Sequence, residues 1–480
     1  MRFRRSITYL LALLMPFSAS GQNLPDLGES AQADFSPQQE RRLGEAIMRK
    51  IRQDPAYVED REMTDYISKI GHRLAGGAPE AAGQNFEFFL VRDPTVNAFA
   101  LPGGYIGVHS GLLLTAQTES EFASVLAHEI SHVTQRHIAR QLQTQNQLAK
   151  LSMVGFVLAL LAARSNPQVA QAAVMTSGAV PAAAFLNYSR DYEREADRTG
   201  FQILQGSGFD VHGMPDFFGR LQRATRLYEN NAPGYLRTHP LDTERIADMQ
   251  NRVQEIRSKP VPDNIDFHLV RAALRADQGN AEEAKAFYLT AINEGRFSNE
   301  AATRYGFARA LLRVRDYKAA EAQLQQARKL SGAHPMFEML AARIQADAGN
   351  LAGAVETLAQ ATKRFSEDYP LQVAYAEALL NGGRASDGLE ALNQIRVQRP
   401  RDSSLYALKA KIHSALGQHV EEHRALAEYY YIQGSLPGAI EQLRLAQSAP
   451  GGDFYNLSAV DARMRELQAE RLEEIKDKNR

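Results

Sequence analysis

SVLAHEISHVTQRHIARQ, residues 124–141, contains three histidines and one glutamate between positions 128 and 137. His128 and His132 are four residues apart, so on an α-helix they share one face, about 6 Å apart along the axis. Such a pair of imidazoles chelates a tetrahedral zinc ion. Glu129, the next residue after His128, is placed to act on the attacking water rather than on the metal. This stretch therefore predicts a zinc-binding helix that carries hydrolytic chemistry.

The residues around His128 distinguish this prediction from a surface helix that merely carries two histidines. They are almost all apolar: Ala123, Val125, Leu126, Ala127 and Ile130. Burying polar rings among them costs free energy unless the rings are coordinated or paired, which favours the metal. His137 follows His132 by five residues, a rotation of about 140° on a continuous helix, so we expect it on a polar face away from the metal. A metzincin would need glycine at position 135 and histidine at position 138, where this chain has Gln135 and Ile138.

The N-terminal segment, residues 1–21, has a basic start followed by an apolar run and small residues. This order is typical of a secretory signal peptide, with cleavage expected after Ser20 or Gly21. The apolar run is shorter than the roughly 20 residues that cross a membrane, which disfavours an anchor. The chain has no cysteine, so export to the periplasm of a Gram-negative bacterium is predicted without lipid anchor or disulfides. Loss of this segment's three arginines changes the net charge from -1 to -4, which gives no indication of a nucleic-acid partner.

Residues 22–256 combine helical and extended patterns, which predicts an α+β domain. Two short-strand patterns, NFEFFLVRD (85–93) and VNAFALPGGYIGVHSG (96–111), precede the predicted metal helix. An extended substrate is best held by pairing with an exposed sheet edge beside the metal, and the candidates are Asn97, Ala98 and Phe99. The alternative is an internal strand without a free edge, and the sequence does not separate the two.

Residues 148–186 are rich in alanine and low in charge. Their apolar core, residues 151–163, is too short to span a bilayer. We expect a buried helix here. A lid over the cleft and a segment that touches a membrane surface are the alternatives.

After a proline-containing linker, residues 257–266, the chain repeats itself. The turn positions are 36, 34, 34 and 34 residues apart: Gly279, Arg315, Gly349, Gly383 and Gly417. This period predicts a tetratricopeptide (TPR) array over residues 267–480, an all-α solenoid with a concave binding surface. A further turn at Gly434 follows only 17 residues after Gly417, so the helix between them closes one repeat and opens the next. The charged C-terminal helix is expected to cap the array.

A catalytic zinc site needs a third protein ligand, and residues 187–201, NYSRDYEREADRTGF, offer one. Glu193 and Asp197 are four residues apart and share a helical face, so Glu193 can complete a His–His–Glu site. Asp197 can then accept a hydrogen bond from a ligand histidine and fix its orientation. The rival interpretation is an exposed helix with surface ion pairs to Arg190, Arg194 and Arg198. The HExxH motif roughly 60 residues upstream favours the metal site.

Together these motifs resemble the gluzincin metallopeptidases that include HtpX and the CAAX prenyl proteases. The resemblance is carried by HExxH at 128–132, EREAD at 193–197 and NAFALPGG at 97–104. With the signal peptide and the TPR array, the mature chain is similar over essentially its whole length to the periplasmic group of beta-barrel assembly-enhancing proteases. Unlike HtpX and the prenyl proteases, it shows no transmembrane pattern, so their membrane-embedded chemistry is not expected here.

The resemblance also marks residues 238–246, THPLDTERI, as the family's histidine–proline segment followed by an arginine. It implies that His239 and Arg245 belong to the active site, whereas the residues alone would leave His239 as a loop residue. His239 would either stabilise the oxyanion of the tetrahedral intermediate or occupy the zinc's open coordination position in a latent state.

The predicted fold is therefore α+β, a zincin metalloprotease domain followed by an all-α TPR solenoid. The predicted function is endopeptidase action on misfolded or stalled envelope proteins, with one zinc per chain. The resemblance implies that outer-membrane β-barrel precursors are the clients and that the barrel assembly machinery is a partner of the TPR domain. The competing prediction is a chaperone-like TPR adaptor whose protease domain is mostly silent.

Overall fold

The computed structural model describes the chain in five stretches: residues 36–143, 189–227, 234–256, 261–395 and 402–478. Its N-terminal part places a small sheet among helices, and its C-terminal part is helical, which confirms the predicted fold class. The predicted signal peptide and residues 148–186 lie outside these stretches. Within them, no helix is long and apolar enough to span a membrane.

The N-terminal part begins with helices and then forms its sheet. Its helices are α1 (Pro37–Ile51), α2 (Arg61–Gly76), α3 (Ser110–Thr115), α4 (Glu119–Thr134), α5 (His137–Gln143), α6 (Arg190–Gly206), α7 (Gly213–Leu227), α8 (Gly234–Thr238) and α9 (Thr243–Gln254). Its strands are β1 (Glu87–Val91), β2 (Ala98–Leu101) and β3 (Tyr105–His109). Ser36 caps α1 through a capping box with Gln39, and Pro37 occupies the first helical position.

The sheet has the order β1–β3–β2, with β1 parallel and β2 antiparallel to β3. All five residues of the central strand β3 are buried. The turn between β2 and β3 uses Gly103 and Gly104, whose φ angles of 79° and 84° favour glycine. In the described part of the chain, β2 forms the edge of the sheet and lies against α4.

The C-terminal part is a succession of antiparallel helix pairs. They are α10 (Ile265–Asp277) with α11 (Ala281–Asn293), α12 (Glu300–Arg313) with α13 (Tyr317–Ser331), α14 (Pro335–Asp347) with α15 (Leu351–Arg364), α16 (Tyr369–Asn381) with α17 (Ala385–Gln394), α18 (Ser403–Ala415) with α19 (His419–Ile432), and α20 (Leu436–Ser448) with α21 (Phe454–Lys478). The five predicted turn positions lie inside the first five pairs, and all have positive φ angles between 61° and 88°. Arg315 adopts this left-handed conformation where the other four have glycine. The helix α10 begins at Ile265, so its first two residues lie inside the predicted linker.

The first helix of the array lies against the protease domain. Arg271 on α10 donates hydrogen bonds to the carbonyl oxygens of Leu113 and Leu114 at the end of α3, both at 3.0 Å. Asp263, just before α10, accepts a hydrogen bond of 2.8 Å from the backbone N–H of Glu119. That N–H belongs to the first turn of α4, so the array is bonded directly to the helix that carries the HExxH motif.

An ion cluster around the buried Arg309 forms a second contact, between α12 and the start of α2. The guanidinium of Arg309 lies 2.7 Å from Asp277, 3.0 Å from Glu62 and 3.3 Å from Asp60. The hydroxyl of Tyr305 lies 3.3 Å from the Glu62 carboxylate. Burial raises the pKa of Glu62 to about 7, and Arg309 only partly opposes this rise.

The array meets the protease domain again near its C-terminal end, at the turn between α19 and α20. Arg52 and Gln53, at the end of α1, donate hydrogen bonds to the carbonyl oxygens of Ile432 and Gln433, both at 3.2 Å. The side chain of Gln433 donates in turn to Glu59 at 2.8 Å. The solenoid is therefore fixed to the protease domain near both of its ends.

Candidate metal centre

The helix α4 places the two histidines of the HExxH motif in the protein core. Thr118 caps α4 by accepting a hydrogen bond from Glu121, and residues 119–132 are all buried. His128 and His132 lie one turn apart on the same face, and their Nε2 atoms are 3.0 Å apart. The helical spacing thus brings two imidazole nitrogens together at a buried point.

The helix α6 supplies the acidic residues that the sequence places at this site. Ser189 caps α6, and the side chains of Glu193 and Asp197 are each 1% exposed and face α4. The neighbouring arginines turn the other way and pair with acidic residues of α9: Arg194 with Glu244 at 2.6 Å and Arg198 with Asp248 at 3.2 Å. The rival interpretation of an exposed helix therefore fails for the face that carries Glu193 and Asp197.

Four donor groups converge where α4 and α6 meet: the side chains of His128, His132, Glu193 and His239. The Glu193 carboxylate lies 3.5 Å from Nε2 of each HExxH histidine. Nδ1 of His239 lies 3.0 Å from Glu193 and 3.3 Å from Nε2 of His128. A tetrahedral ion with bonds of about 2.0–2.1 Å holds neighbouring donors about 3.3 Å apart. These residues therefore fit a four-coordinate divalent metal.

A second layer of contacts fixes these donor groups through Asp197 and Arg245. A carboxylate oxygen of Asp197 lies 3.0 Å from Nδ1 of His128. Arg245 donates to both oxygens of Asp197, at 2.6 and 2.7 Å, and lies 2.8 Å from Glu193. It also donates to the carbonyl oxygen of Pro240 at 2.6 Å, which ties down the chain directly after His239. Asp197 therefore orients the ring of His128, and Arg245 orients Asp197.

Burial and charge set the protonation of the metal-free site. Burial lowers the pKa of His128, but the carboxylates of Asp197 and Glu193 outweigh it and raise this pKa to about 9. Burial holds the pKa of His132 well below its usual range. Burial would raise the pKa of Glu193, but His239 and the HExxH histidines lower it strongly. Because a metal requires a free nitrogen on His128, its binding must displace a proton.

Glu129 is the fully buried carboxylate beside these donors. One of its oxygens lies 3.4 Å from Nε2 of His239, and neither accepts a hydrogen bond from the side chains that the structure describes. Burial raises its pKa, while His239 and His128 oppose the rise. A carboxylate whose affinity for a proton is raised in this way suits a general base.

His239 contacts other members of the donor cluster and Glu129 at once. It follows α8, and its ring stacks on that of Tyr235 with centroids 4.6 Å apart. The backbone N–H of Tyr235 donates a hydrogen bond of 2.9 Å to the carbonyl oxygen of Val96, just before β2. The segment that carries His239 is thereby attached to the start of the edge strand.

The three residues predicted to bind substrate lie at the start of this strand. The carbonyl oxygen of Asn97 accepts a hydrogen bond from His109 in β3, so the alternation of a strand turns the backbone groups of Ala98 away from β3. The ring of Phe99 packs edge-on against those of Phe89 and His109. Of the three, Ala98 presents its backbone groups to the outer edge of the sheet.

His137 does not lie on a polar face, and that prediction was wrong. The prediction assumed one continuous helix, but α4 ends at Thr134 and Arg136 takes a left-handed φ of 53°. The chain therefore turns back, and His137 is fully buried with its Nδ1 2.8 Å from Nδ1 of His132. Its Nε2 lies 3.2 Å from Glu195, a residue that the sequence analysis did not single out. The sequence signal that could have indicated Glu195 was its position in the middle of the EREAD motif.

Comparison with known proteins agrees with this arrangement. Residues 62–253 match peptidase family M48, and residues 305–370 and 345–412 match tetratricopeptide repeats. The beta-barrel assembly-enhancing protease of Escherichia coli (strain K12) is 33% identical over 453 residues, which cover 94% of this chain and 92% of that protein. The chain belongs to peptidase family M48. This membership confirms the predicted class of enzyme, a metalloendopeptidase with TPR repeats.

Further relatives extend the similarity beyond one species. The beta-barrel assembly-enhancing protease of Yersinia pestis is 32% identical and covers 96% of this chain and 97% of its own length. The mitochondrial metalloendopeptidase OMA1 of Schizosaccharomyces pombe is 28% identical over 196 residues, 41% of this chain and 55% of that protein. The similarity to OMA1 therefore covers less than half of this chain, whereas the two beta-barrel assembly-enhancing proteases match nearly all of it.

Proposed function

We propose that this M48 enzyme is a zinc-dependent endopeptidase of the periplasm that degrades misfolded or stalled precursors of outer-membrane β-barrel proteins. Its TPR array would bind these clients and the barrel assembly machinery. The names of the full-length relatives support the client class. The observation that carries the proposal is the convergence of four metal donors and Glu129 in one buried cluster. We also propose the domain limits 22–256 and 267–480.

The proposed ligands are His128, His132 and Glu193, a donor set that suits zinc. Zinc, when bound, supplies Lewis acidity toward the peptide carbonyl and toward water. Glu129 would take the proton of the attacking water and pass it to the leaving amine. Asp197 would hold the ring of His128 in the orientation that directs Nε2 at the metal.

We propose that an extended substrate pairs with the outer edge of β2. The backbone groups of Ala98 face this edge, and β2 lies directly beside α4. Backbone pairing accepts many side chains, which suits an enzyme that acts on varied unfolded chains.

We further propose that His239 keeps the enzyme latent. Its Nδ1 lies among the donors of the metal and its Nε2 lies beside Glu129, so the ring fills the space that water and substrate need. The bond from Tyr235 to Val96 occupies the edge of the sheet at the same time. Withdrawal of this segment would free the fourth coordination position and the strand edge together. A role in stabilising the oxyanion is the alternative for His239.

Elemental analysis of the full chain tests the metal assignment. We expect about one zinc per chain in the parent protein and a loss of zinc in His128→Ala and Glu193→Ala. A matched control is Glu244→Ala, which removes a carboxylate from α9 that points away from the donors. A Glu193→Ala variant with full zinc and full activity would show that the ligand assignment is wrong.

Proteolysis of unfolded casein tests the role of His239 and separates an enzyme from an adaptor. If His239 is a latch, His239→Ala should cleave casein and itself faster than the parent chain. A zinc-loaded His239→Ala variant that is slower would refute the latch and support the oxyanion role. A zinc-loaded variant that binds unfolded chains but cleaves none would favour the TPR adaptor. Capture of bound proteins by Glu129→Gln would identify the clients.

A further inference from the structure

Three side chains in contact with one another lead from the metal site to the protein surface. Nδ1 of His132 lies 2.8 Å from Nδ1 of His137, and Nε2 of His137 lies 3.2 Å from the carboxylate of Glu195. The two histidines are fully buried, whereas the side chain of Glu195 is 36% exposed. Arg140 binds the same carboxylate at 3.0 Å and holds it in place.

We propose that His137, anchored by Glu195, is a positioning residue that fixes the ring of the metal ligand His132. This inference rests on the proposed metal site, because it assigns His137 a role only toward a ligand of that site. His137 does not reach the donor cluster through its own nitrogens, so it acts through His132.

The direction of each hydrogen bond follows from metal binding. Nε2 of His132 points at the donor cluster and must be unprotonated to bind a metal, so its Nδ1 carries the proton. That N–H donates to Nδ1 of His137, which must therefore accept. His137 then carries its own proton on Nε2, which lies 3.2 Å from the Glu195 carboxylate. Each of these contacts can carry its proton in one direction only, so the series of three side chains selects one tautomer of His132.

The backbone turn at Arg136 makes the contact between His137 and His132 possible. Arg136 adopts a left-handed conformation, with a φ of 53°, which is uncommon and unfavourable for residues with a side chain. The Arg136 guanidinium is bound to Glu40 on α1, which holds the turn in place. The turn directs His137 back onto His132 instead of letting α4 continue. The ring of His137 then stacks on that of Tyr192, with centroids 4.6 Å apart and planes 10° from parallel.

The helix α6 thus supplies a residue that holds each histidine ring of the HExxH motif in place. Asp197 lies 3.0 Å from Nδ1 of His128, and Glu195 reaches Nδ1 of His132 through His137. Each ligand ring is held at its Nδ1 by a group tied to the helix that also supplies Glu193. Loss of either support is expected to weaken metal binding, since outer-shell partners typically contribute 10- to 100-fold in metal affinity.

Zinc affinity of the full chain, measured by competition with a chelator, tests the proposal. His137→Phe keeps a ring that can stack on Tyr192 but removes the acceptor, and we expect its zinc affinity to fall about 10- to 100-fold. His137→Asn places a side-chain oxygen near the position of Nδ1 and should recover most of this loss. The matched control is His419→Phe in α19, a half-exposed histidine far from the metal ligands in sequence, with unchanged affinity expected.

The outcomes distinguish a positioning role of His137 from a purely packing role, and both from a failure of the proposed metal site. Unchanged zinc affinity in His137→Phe would overturn the proposal, and so would equal losses in His137→Phe and His137→Asn, which would show that only the ring shape matters. The visible spectrum of the cobalt(II)-loaded chain should change in the first variant and return toward the parent spectrum in the second. A parent chain that binds no zinc would instead refute the proposed metal site.

A second position keeps the test decisive if His137→Phe does not fold. Glu195 is partly exposed, so Glu195→Ala is expected to fold, and its zinc affinity should fall several-fold. Glu195→Gln retains an acceptor for His137 and should lie closer to the parent chain. Unchanged zinc affinity in Glu195→Ala would overturn the role of Glu195 as the anchor.

Discussion

The substitution Glu62→Gln tests how the ion cluster around Arg309, between the two domains, affects stability. Three carboxylates share the single guanidinium of Arg309, so the cluster carries an excess of negative charge when all of them are ionised: Asp60, Glu62 and Asp277. Burial raises the pKa of Glu62 from 4.5 to about 7. A pKa change of this size corresponds to about 3 kcal/mol.

The sign of the effect follows from proton binding. Between about pH 4.5 and about pH 7 the folded chain keeps the proton of Glu62 while the unfolded chain releases it, so stability falls as pH rises through this window. Above pH 7 the full cost of about 3 kcal/mol is present. Glutamine resembles the protonated side chain, so Glu62→Gln should stabilise the protein by up to about 3 kcal/mol at pH 8 and by less than about 1 kcal/mol at pH 5.

Thermal unfolding of the full chain at pH 5 and pH 8, followed by circular dichroism, measures this difference. At roughly 2–4 °C per kcal/mol for a domain of this size, Glu62→Gln should raise the midpoint by about 6–12 °C at pH 8. The control Glu80→Gln removes an exposed carboxylate and should change little at either pH. A Glu62→Gln variant that is destabilised equally at both pH values would refute the reasoning, because the ion pair with Arg309 would then outweigh burial.

Three further predictions concern the metal centre and the cleft. Glu129→Gln should keep its zinc while kcat falls about 10²- to 10⁴-fold, and metal loss in elemental analysis would instead place Glu129 among the ligands. Ala98→Pro removes an N–H from the outer edge of β2 but no bond to β3, so KM for peptides should rise, whereas Ala98→Ser should not change it. An unaltered KM in folded Ala98→Pro would exclude pairing there. Arg245→Leu leaves Glu193 and Asp197 without their cation and should destabilise the metal-free chain by about 3–5 kcal/mol in urea unfolding. Zinc should reduce that loss, and an equal loss with and without zinc would contradict this account.

The sequence predicts those parts of the molecule that depend on local periodicity. The four-residue spacings of His128 with His132 and of Glu193 with Asp197 require only that each segment be helical, and both segments are. The TPR turns are predictable for the same reason, because the period repeats along the chain. The structure gives all five turn positions positive φ angles.

Features that depend on a break in periodicity, or on distant pairing, were not predictable. The left-handed turn at Arg136 has no glycine to indicate it, so His137 was assigned to the wrong face. The cluster around Arg309 joins residues about 250 positions apart, and no local pattern relates them. The edge position of β2 likewise depends on the order of strands in space, which the sequence left open.

The two anchored ends of the array have a mechanical consequence. One end is bonded through Asp263 to the first turn of α4, nine residues before His128, and the other grips the end of α1 through Arg52. The solenoid is therefore attached to the protease domain at two separate points, so a change in its curvature would be transmitted to that domain. A bound chain that changed the curvature of the solenoid would act on α4 through the hydrogen bond between Asp263 and Glu119. The catalytic domain would then sense the curvature of the array rather than the chemical identity of what bends it.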